Sequence, residues 1–447
     1  MAARIATRFQ LFPPRSAEAT QKRPVIDLAL LGIVAALLAV GIMMIYSVSF
    51  GPRVQGGTND PYGLFVRQLE WIGLGLACMV VMWRLDYHIF ERLALPIMGL
   101  TLVLLIVVIP YGNLISRQFF GGSVQPGEIA KLASIIYIAT WLASKANKLR
   151  NWLYGMLPFG IIVGAVAGLV AIEPNLSTAI LIALTAFAIF FIANANLIHF
   201  TVLALVGGSA AVLVVTQYQR GLERFGLWTG DPIASTSEKV WQLRETLIAL
   251  GSGGLIGKGL LSGGGQYGWV PLAHTDTILA IWGEETGLAG VLFLLGVYMF
   301  LFYRGFQIAA RASDDLGRFL ASGVTFWIFF QMFVHMGVIT QTIPFTGQPL
   351  PFISYGGSSM IVSLTGMGIL LSVARGPTKK TPARAKAESP AREERGTPER
   401  EIKVATKAVR SREKHATSTL RRWDRRPRLP NDGGPSVRKS TRPRPRR

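Results

Sequence analysis

Residues 27–49 read DLALLGIVAALLAVGIMMIYSVS, twenty-three positions with a single charge, at the first of them. A helix needs about 20 apolar residues to cross a bilayer, so this run is long enough to span one. Nine further runs lie near 69–83, 94–111, 128–143, 155–172, 176–193, 198–217, 278–303, 317–340 and 356–374. The second and fourth are short and carry Arg67, Glu70 and Lys131 in or beside them. Charged residues make up 16% of the chain, against about 25% in soluble domains. The sequence therefore predicts an all-α, polytopic membrane protein of about ten transmembrane helices. The first run is too long for a cleavable signal core and lacks a small-residue cleavage site, so it reads as a signal anchor.

Ten spans put both termini on one side, and the positive-inside rule chooses which. Arg4, Arg8, Arg15, Lys22 and Arg23 precede the first span, and Arg84, Arg92, Lys145, Lys148, Arg150, Arg304 and Arg311 fall in alternate loops on the same side. Both termini are expected inside, with a large outer loop, about 218–277, between the seventh and eighth spans. Of the formal net charge of +21, the stretch from Arg375 to Arg447 supplies 24 basic and 8 acidic side chains. Rich in Pro, Arg, Ser and Thr, it reads as a disordered basic cytoplasmic tail held near anionic lipids. No folded basic surface accompanies that charge, so no nucleic-acid partner is expected. The expected division is a basic N-terminus, 1–26, a membrane domain, 27–374, and the tail, 375–447. The lone Cys78 allows no intramolecular disulfide.

Four polar constellations interrupt the apolar sequence, and ionisable groups at membrane depth are functional candidates. The first is Gly251-Ser-Gly-Gly-Leu-Ile-Gly-Lys258-Gly259, then Gly263-Gly-Gly265, then His274-Thr-Asp276 with Glu284 and Glu285 behind it. Its glycines could bring backbone N–H groups and Lys258 to an anion, although the Walker spacing is missing. They also suit an ordinary surface loop. Asp276, a carboxylate just before an apolar span, suits proton abstraction. The second is Arg117 followed by Gln125-Pro-Gly-Glu128-Ile-Ala-Lys131, where Glu128 and Lys131 share a helix face at i,i+3, either as an internal ion pair or as part of a pocket. The third is Glu173-Pro174-Asn175-Leu-Ser177-Thr178, a turn between two spans. The fourth runs from Pro344 through Gln348, Pro349, Pro351 and Ser354 to Ser358 and Ser359. Its prolines exclude a regular helix, so it is expected as a re-entrant or extended segment. His335, alone in the ninth run, reads as a packing residue. The histidines and the cysteine show no metal-ligand spacing.

These four constellations, in this order over about residues 25–375, resemble the SEDS family (shape, elongation, division and sporulation), whose members include RodA and FtsW. The resemblance implies ten spans, the large outer loop and an essential aspartate in the His-Thr-Asp motif, here Asp276. It also implies a peptidoglycan glycosyltransferase that polymerises lipid II and pairs with a class B penicillin-binding transpeptidase among other elongation or division proteins. In that setting Asp276 would take the proton from the acceptor hydroxyl. Arg117, Glu128, Lys131, Lys258, His274, Glu284, Ser354 and Ser358 would shape the substrate cavity. No cofactor is implied, and a divalent cation stays open. The glycine-rich segment from Gly251 is closer to elongation-type members. Asn175 stands where the family commonly has aspartate, Thr277 where an aromatic often follows the motif, and His335 where an asparagine is frequent. Rival readings are a flippase for a lipid-linked precursor, which could tolerate loss of Asp276, and a non-catalytic scaffold that docks partners through the tail.

Overall fold

A computed structural model describes residues 26–49, 62–108, 125–145, 155–173, 175–193, 197–217, 226, 228, 238–263, 270 and 274–376. Arg117, most of the 218–277 loop, residues 1–25 and the tail beyond 376 lie outside the described residues. Eleven α-helices occur among them. They are α1 (Leu28–Ser49), α2 (Gly63–Arg84), α3 (Phe90–Val108), α4 (Pro126–Lys145), α5 (Leu157–Ile172), α6 (Leu176–Ile192), α7 (Leu197–Gln217), α8 (Glu238–Ser252), α9 (Ile278–Ala310), α10 (Asp315–Ile339) and α11 (Gly357–Arg375). Each of the ten apolar runs falls on a helix. Six of these, α1, α2, α3 with its leading turn, α9, α10 and α11, are long and apolar enough to cross a membrane, while α5 and α6 are shorter apolar helices. The added helix is α8, which lies in what reads from sequence as outer loop.

Local chemistry sets several ends. Asp314 caps α10 by accepting from Gly317 N–H at 2.7 Å, and Asn175 caps α6 by accepting from Thr178 N–H at 3.4 Å. Both satisfy donors that a helix start leaves unpaired. The departure at Asn175 therefore keeps a cap, because asparagine and aspartate serve that position about equally.

α10 and α11 form the interior. Leu320, Val324, Ile328, Met332, Leu364, Met367 and Leu370 are fully buried, whereas α2 and α3 turn Val81, Leu95, Leu100 and Val103 outward. Apolar side chains on the outside of a long apolar helix suit a lipid surround. At one end of the bundle, Ser372 Oγ donates to Leu85 O at 2.6 Å, tying α11 to the end of α2. At the same end Tyr87 donates to Asp314 at 2.6 Å, and His88 lies between Asp86 (2.7 Å) and Asp314 (3.1 Å). These contacts join the α2–α3 connection to the α9–α10 connection.

Candidate functional site

The segment between α10 and α11 is where most of the candidate residues meet. From Ile343 to Leu350 it is neither helix nor strand, as Pro344, Pro349 and Pro351 require. A non-helical backbone inside an apolar body must have its polar groups satisfied by protein, and here the partners are specific. His335 Nδ1 lies 2.8 Å from Gln348 O. Gln348 Nε2 donates to Thr178 Oγ1 at 3.0 Å, and Gln331 Nε2 donates to Pro349 O at 2.8 Å. Tyr298 donates to Pro351 O. Thus α6 holds one side chain of the segment, α9 one carbonyl and α10 two carbonyls.

The His274–Thr277 stretch lies across this segment. Tyr355 N–H donates to His274 O at 2.8 Å, and Ser354 Oγ donates to Thr275 O at 2.7 Å while accepting from Leu350 N–H at 2.8 Å. The His274 and Tyr355 rings meet edge to face, 5.6 Å apart. Burial pushes the His274 imidazole below its ordinary pKa, so it is neutral near pH 7. Asp276, partly exposed, follows directly. Its Oδ2 stands so close to Gly347 that a β-carbon there would lie 3.0 Å from it. A residue larger than glycine would crowd the carboxylate.

Glu128 and Lys131 are also tied to the segment, through a relay. Lys131 Nζ pairs with Glu128 Oε1 at 2.8 Å, with side chains only 1% and 3% exposed. The same ammonium donates to Gln331 Oε1 at 2.9 Å, which also accepts from Trp327 Nε1 at 2.8 Å. Gln331 therefore links the buried ion pair on α4 to Pro349. The internal ion pair is observed, and its onward contact reaches the segment between α10 and α11. Ser358 accepts from Gln125 N–H at 3.3 Å, which fastens the start of α4 to the start of α11.

Lys258 and Glu284 form a separate cluster. Gly287 (φ 67°, ψ −169°) breaks α9, leaving carbonyls before it and N–H groups after it without helical partners. The loop after α8 supplies them. Lys258 and Gly259 N–H donate to Glu284 O and Glu285 O, both at 3.0 Å, and Leu288 and Ala289 N–H donate to Gly254 O and Leu255 O at 2.9 and 3.1 Å. Gly257 N–H donates to Gly253 O. The sequence left these glycines open between an anion cradle and an ordinary surface loop, and the contacts made by residues 257–259 are not those of a cradle. The N–H groups of residues 257–259 are committed within the fold, and Gly257 and Gly287 are needed because a β-carbon on either would collide with the backbone of the facing segment at 2.2–2.4 Å. Lys258 Nζ itself lies 2.7 Å from Glu284 Oε1, and Ser47 Oγ donates to Glu285 Oε1 at 2.6 Å.

Of the expected site residues, Asp276, His274, Ser354, Glu128, Lys131 and Ser358 gather on or around the 347–358 segment, while Lys258 and Glu284 pair at the α9 break. Gln331 and Gly347 were not singled out from the sequence, and Gln348 was named only as part of the fourth constellation. Gln331 carried a usable signal, being a polar side chain inside an apolar run. No group of three metal-ligating side chains occurs among the described residues. A cavity of about 530 Å³ opens between α5, α6 and α7, with lining side chains that are all apolar, including Phe159, Val163, Ile180, Phe187 and Leu203. It fits a hydrocarbon chain and offers no polar path for a sugar.

The family model for FtsW, RodA and SpoVE, described as cell cycle protein, matches residues 28–379. The probable peptidoglycan glycosyltransferase FtsW of Trichlorobacter lovleyi is 33% identical over 359 residues, 78% of this chain and 93% of that one. The crystal structure of the Thermus thermophilus rod shape determining protein RodA superposes with a TM-score of 0.59 at 29% identity, covering 79% of this chain and 98% of that chain. A chain of a peptidoglycan synthase complex, solved for its coordination of polymerization and crosslinking, superposes with a TM-score of 0.62 at 28% identity, covering 78% and 98%.

Proposed function

Because this chain belongs to the FtsW, RodA and SpoVE family of cell cycle proteins, we propose that it is a peptidoglycan glycosyltransferase that polymerises lipid II at the outer face of the bacterial cytoplasmic membrane. Ten crossings, inside termini and an outer 218–277 loop fit this reading. So do a membrane domain of 27–374 and flanking basic segments, 1–26 and 375–447, at the inner surface. The supporting pattern is the alternation of basic loops together with the ten apolar helices.

The observation that carries the activity is the seat of Asp276 against Gly347, in a junction held from three helices. The acceptor sugar presents its 4-hydroxyl to the Asp276 carboxylate, which takes the proton as the oxygen attacks the donor anomeric carbon. The new glycosidic C–O bond forms as the bond from that carbon to the diphosphate breaks, and undecaprenyl diphosphate leaves. General-base help of this kind contributes about 10²–10⁴-fold. Lys131 is too enclosed to touch the leaving group, so Glu128 and Lys131 act by fixing the 347–355 wall through Gln331. His274 and Ser354 hold the same wall, and Ser358 fastens the start of α11 beside it to α4. Lys258 and Glu284 hold the outer loop to α9, and Arg117 is the cation assigned to the developing diphosphate charge. The apolar cavity between α5, α6 and α7 accommodates part of the polyprenyl chain. Its lining disfavours a flippase path at that place.

A class B transpeptidase is the proposed partner, as the likeness to a chain of a peptidoglycan synthase complex supports. Anionic lipids would hold the tail. The elongation-type assignment rests on the Gly251–Gly259 segment alone, since relatives named FtsW and RodA both match. The direct test is Asp276→Asn, purified as the full chain with its transpeptidase and supplied with lipid II. Glycan synthesis is expected to fall by at least about 10²-fold with Tm unchanged. Strands made at the parent rate would remove Asp276 from the mechanism.

A further inference from the structure

Helices α1 and α9 are tied together near both ends. At one end the Arg304 guanidinium reaches both oxygens of Asp27 at 2.9–3.2 Å. At the other, Ser47 donates to Glu285. Asp27 and Ser47 are twenty residues apart, and Glu285 and Arg304 nineteen. At about 1.5 Å per residue the unbroken α1 interval is about 30 Å, which is the thickness of a bilayer's hydrocarbon core. The two polar ties therefore bracket the acyl region, and the level of Glu285 marks one of its edges.

The loop after α8 docks at that edge. Its backbone is bonded to residues 284, 285, 288 and 289, and Leu261 N–H reaches the Glu285 carboxylate. What this anchored loop displays is apolar: Leu255 is 73% exposed, Ile256 85%, Leu260 51% and Leu261 49%. Leu261 is held at φ 61°, a conformation uncommon for any residue with a β-carbon. Leu288 and Leu292, just along α9, are exposed as well, so the patch continues the apolar flank of that helix. The one cation in the loop, Lys258, has its ammonium on Glu284. A contiguous exposed apolar patch at a membrane edge marks an interaction surface, and its depth and continuity identify what covers it.

We propose that Gly254–Leu261 is an interfacial anchor whose Leu255, Ile256, Leu260 and Leu261 side chains insert among the acyl chains of the adjoining leaflet. The anchor keeps the outer loop, and the His274–Asp276 stretch that follows it, on the bilayer surface where a lipid-linked sugar is presented. This inference rests on the crossing arrangement proposed above.

The test uses the full chain carrying Cys78→Ser and a single nitroxide-labelled cysteine at 255, 256 or 260, reconstituted in vesicles of phosphatidylethanolamine and phosphatidylglycerol. Relaxation by dissolved oxygen is expected to exceed relaxation by a water-soluble nickel chelate several-fold, as at a label on Leu292. Nickel access equal to that of a label in the tail would overturn the proposal, and so would exclusion of both probes, which signals protein cover. The unsubstituted chain gives a second reading. A carbene reagent carried on an acyl chain should form adducts within 254–261, and labelling of the α9 flank without adducts there also overturns it. Insertion depth does not depend on which leaflet is entered. Labelling of a cysteine at 276 by an impermeant reagent from outside intact cells therefore tests the crossing arrangement separately, and its failure would sink that arrangement alone.

Discussion

Two of the ion pairs among the described residues, Glu128–Lys131 and Lys258–Glu284, have surroundings that make them different devices. Glu128 and Lys131 are sealed on every side, with Gln331 relaying their position to Pro349. Lys258 and Glu284 straddle a boundary, with one partner 41% exposed and the other 3%, and four backbone hydrogen bonds already close the α9 break beside them. In the sealed pair each charge depends wholly on its partner, because desolvation is large and nothing else can neutralise it. In the second, the backbone supplies most of the fixation and the charge pair adds little. An ion pair near a site is therefore informative only once its enclosure and its onward contacts are known.

The largest effect should come from splitting the sealed pair. Lys131→Met leaves the Glu128 carboxylate buried alone and should cost about 3–5 kcal/mol, seen as a large fall in Tm. Adding Glu128→Leu removes the orphan and should restore most of that stability, since an apolar replacement of a buried pair is often close to neutral. Polymerisation should stay low in the double variant, because Gln331 has lost the ammonium that orients it. A double variant as active as the parent would reduce the pair to structural filler. At the boundary, Gly287→Ala meets both a positive φ and the Gly257 backbone and should lose more than about 1 kcal/mol. Lys258→Ala combined with Glu284→Gln, which leaves no buried carboxylate alone, should cost less than about 1 kcal/mol, and a fall in Tm as large as that for Gly287→Ala would reverse the ranking of backbone over charge.

The smallest effect concerns pH. The His274 pKa is lowered by burial, so the unfolded chain binds more protons on acidification. The stability associated with a neutral His274 is fully present above the ordinary histidine value of about 6.5 and is lost as pH falls toward and through the lowered folded value. His274→Gln should flatten that part of a Tm-against-pH curve. An unchanged curve would place the acid sensitivity elsewhere.

Much of this was legible in the sequence. Ten apolar runs announced ten helices because length and hydropathy are local properties, and Asp276 stood out as a carboxylate at the threshold of an apolar run. α8 was missed because Glu238, Lys239, Arg244 and Glu245 interrupt its apolar residues, leaving an amphipathic helix with no membrane-length signal. The glycines at 253–259 were legible as special but ambiguous in role. Sequence cannot say whether a freed N–H faces a ligand or a carbonyl of a helix broken thirty residues later. Gln331 was visible as a polar side chain inside an apolar run, but its role was not, since that lies in three partners separated from it by up to two hundred positions.

The paired contacts at the two ends of α1 and α9 have a mechanical consequence. Contacts on both sides of the Gly287 break hold α9 to α1, which resists lengthwise sliding of one helix past the other, so this part of the protein adjusts little in length to match its surroundings. Placed in a thicker or thinner bilayer, it must tilt as one unit or deform the lipid around it.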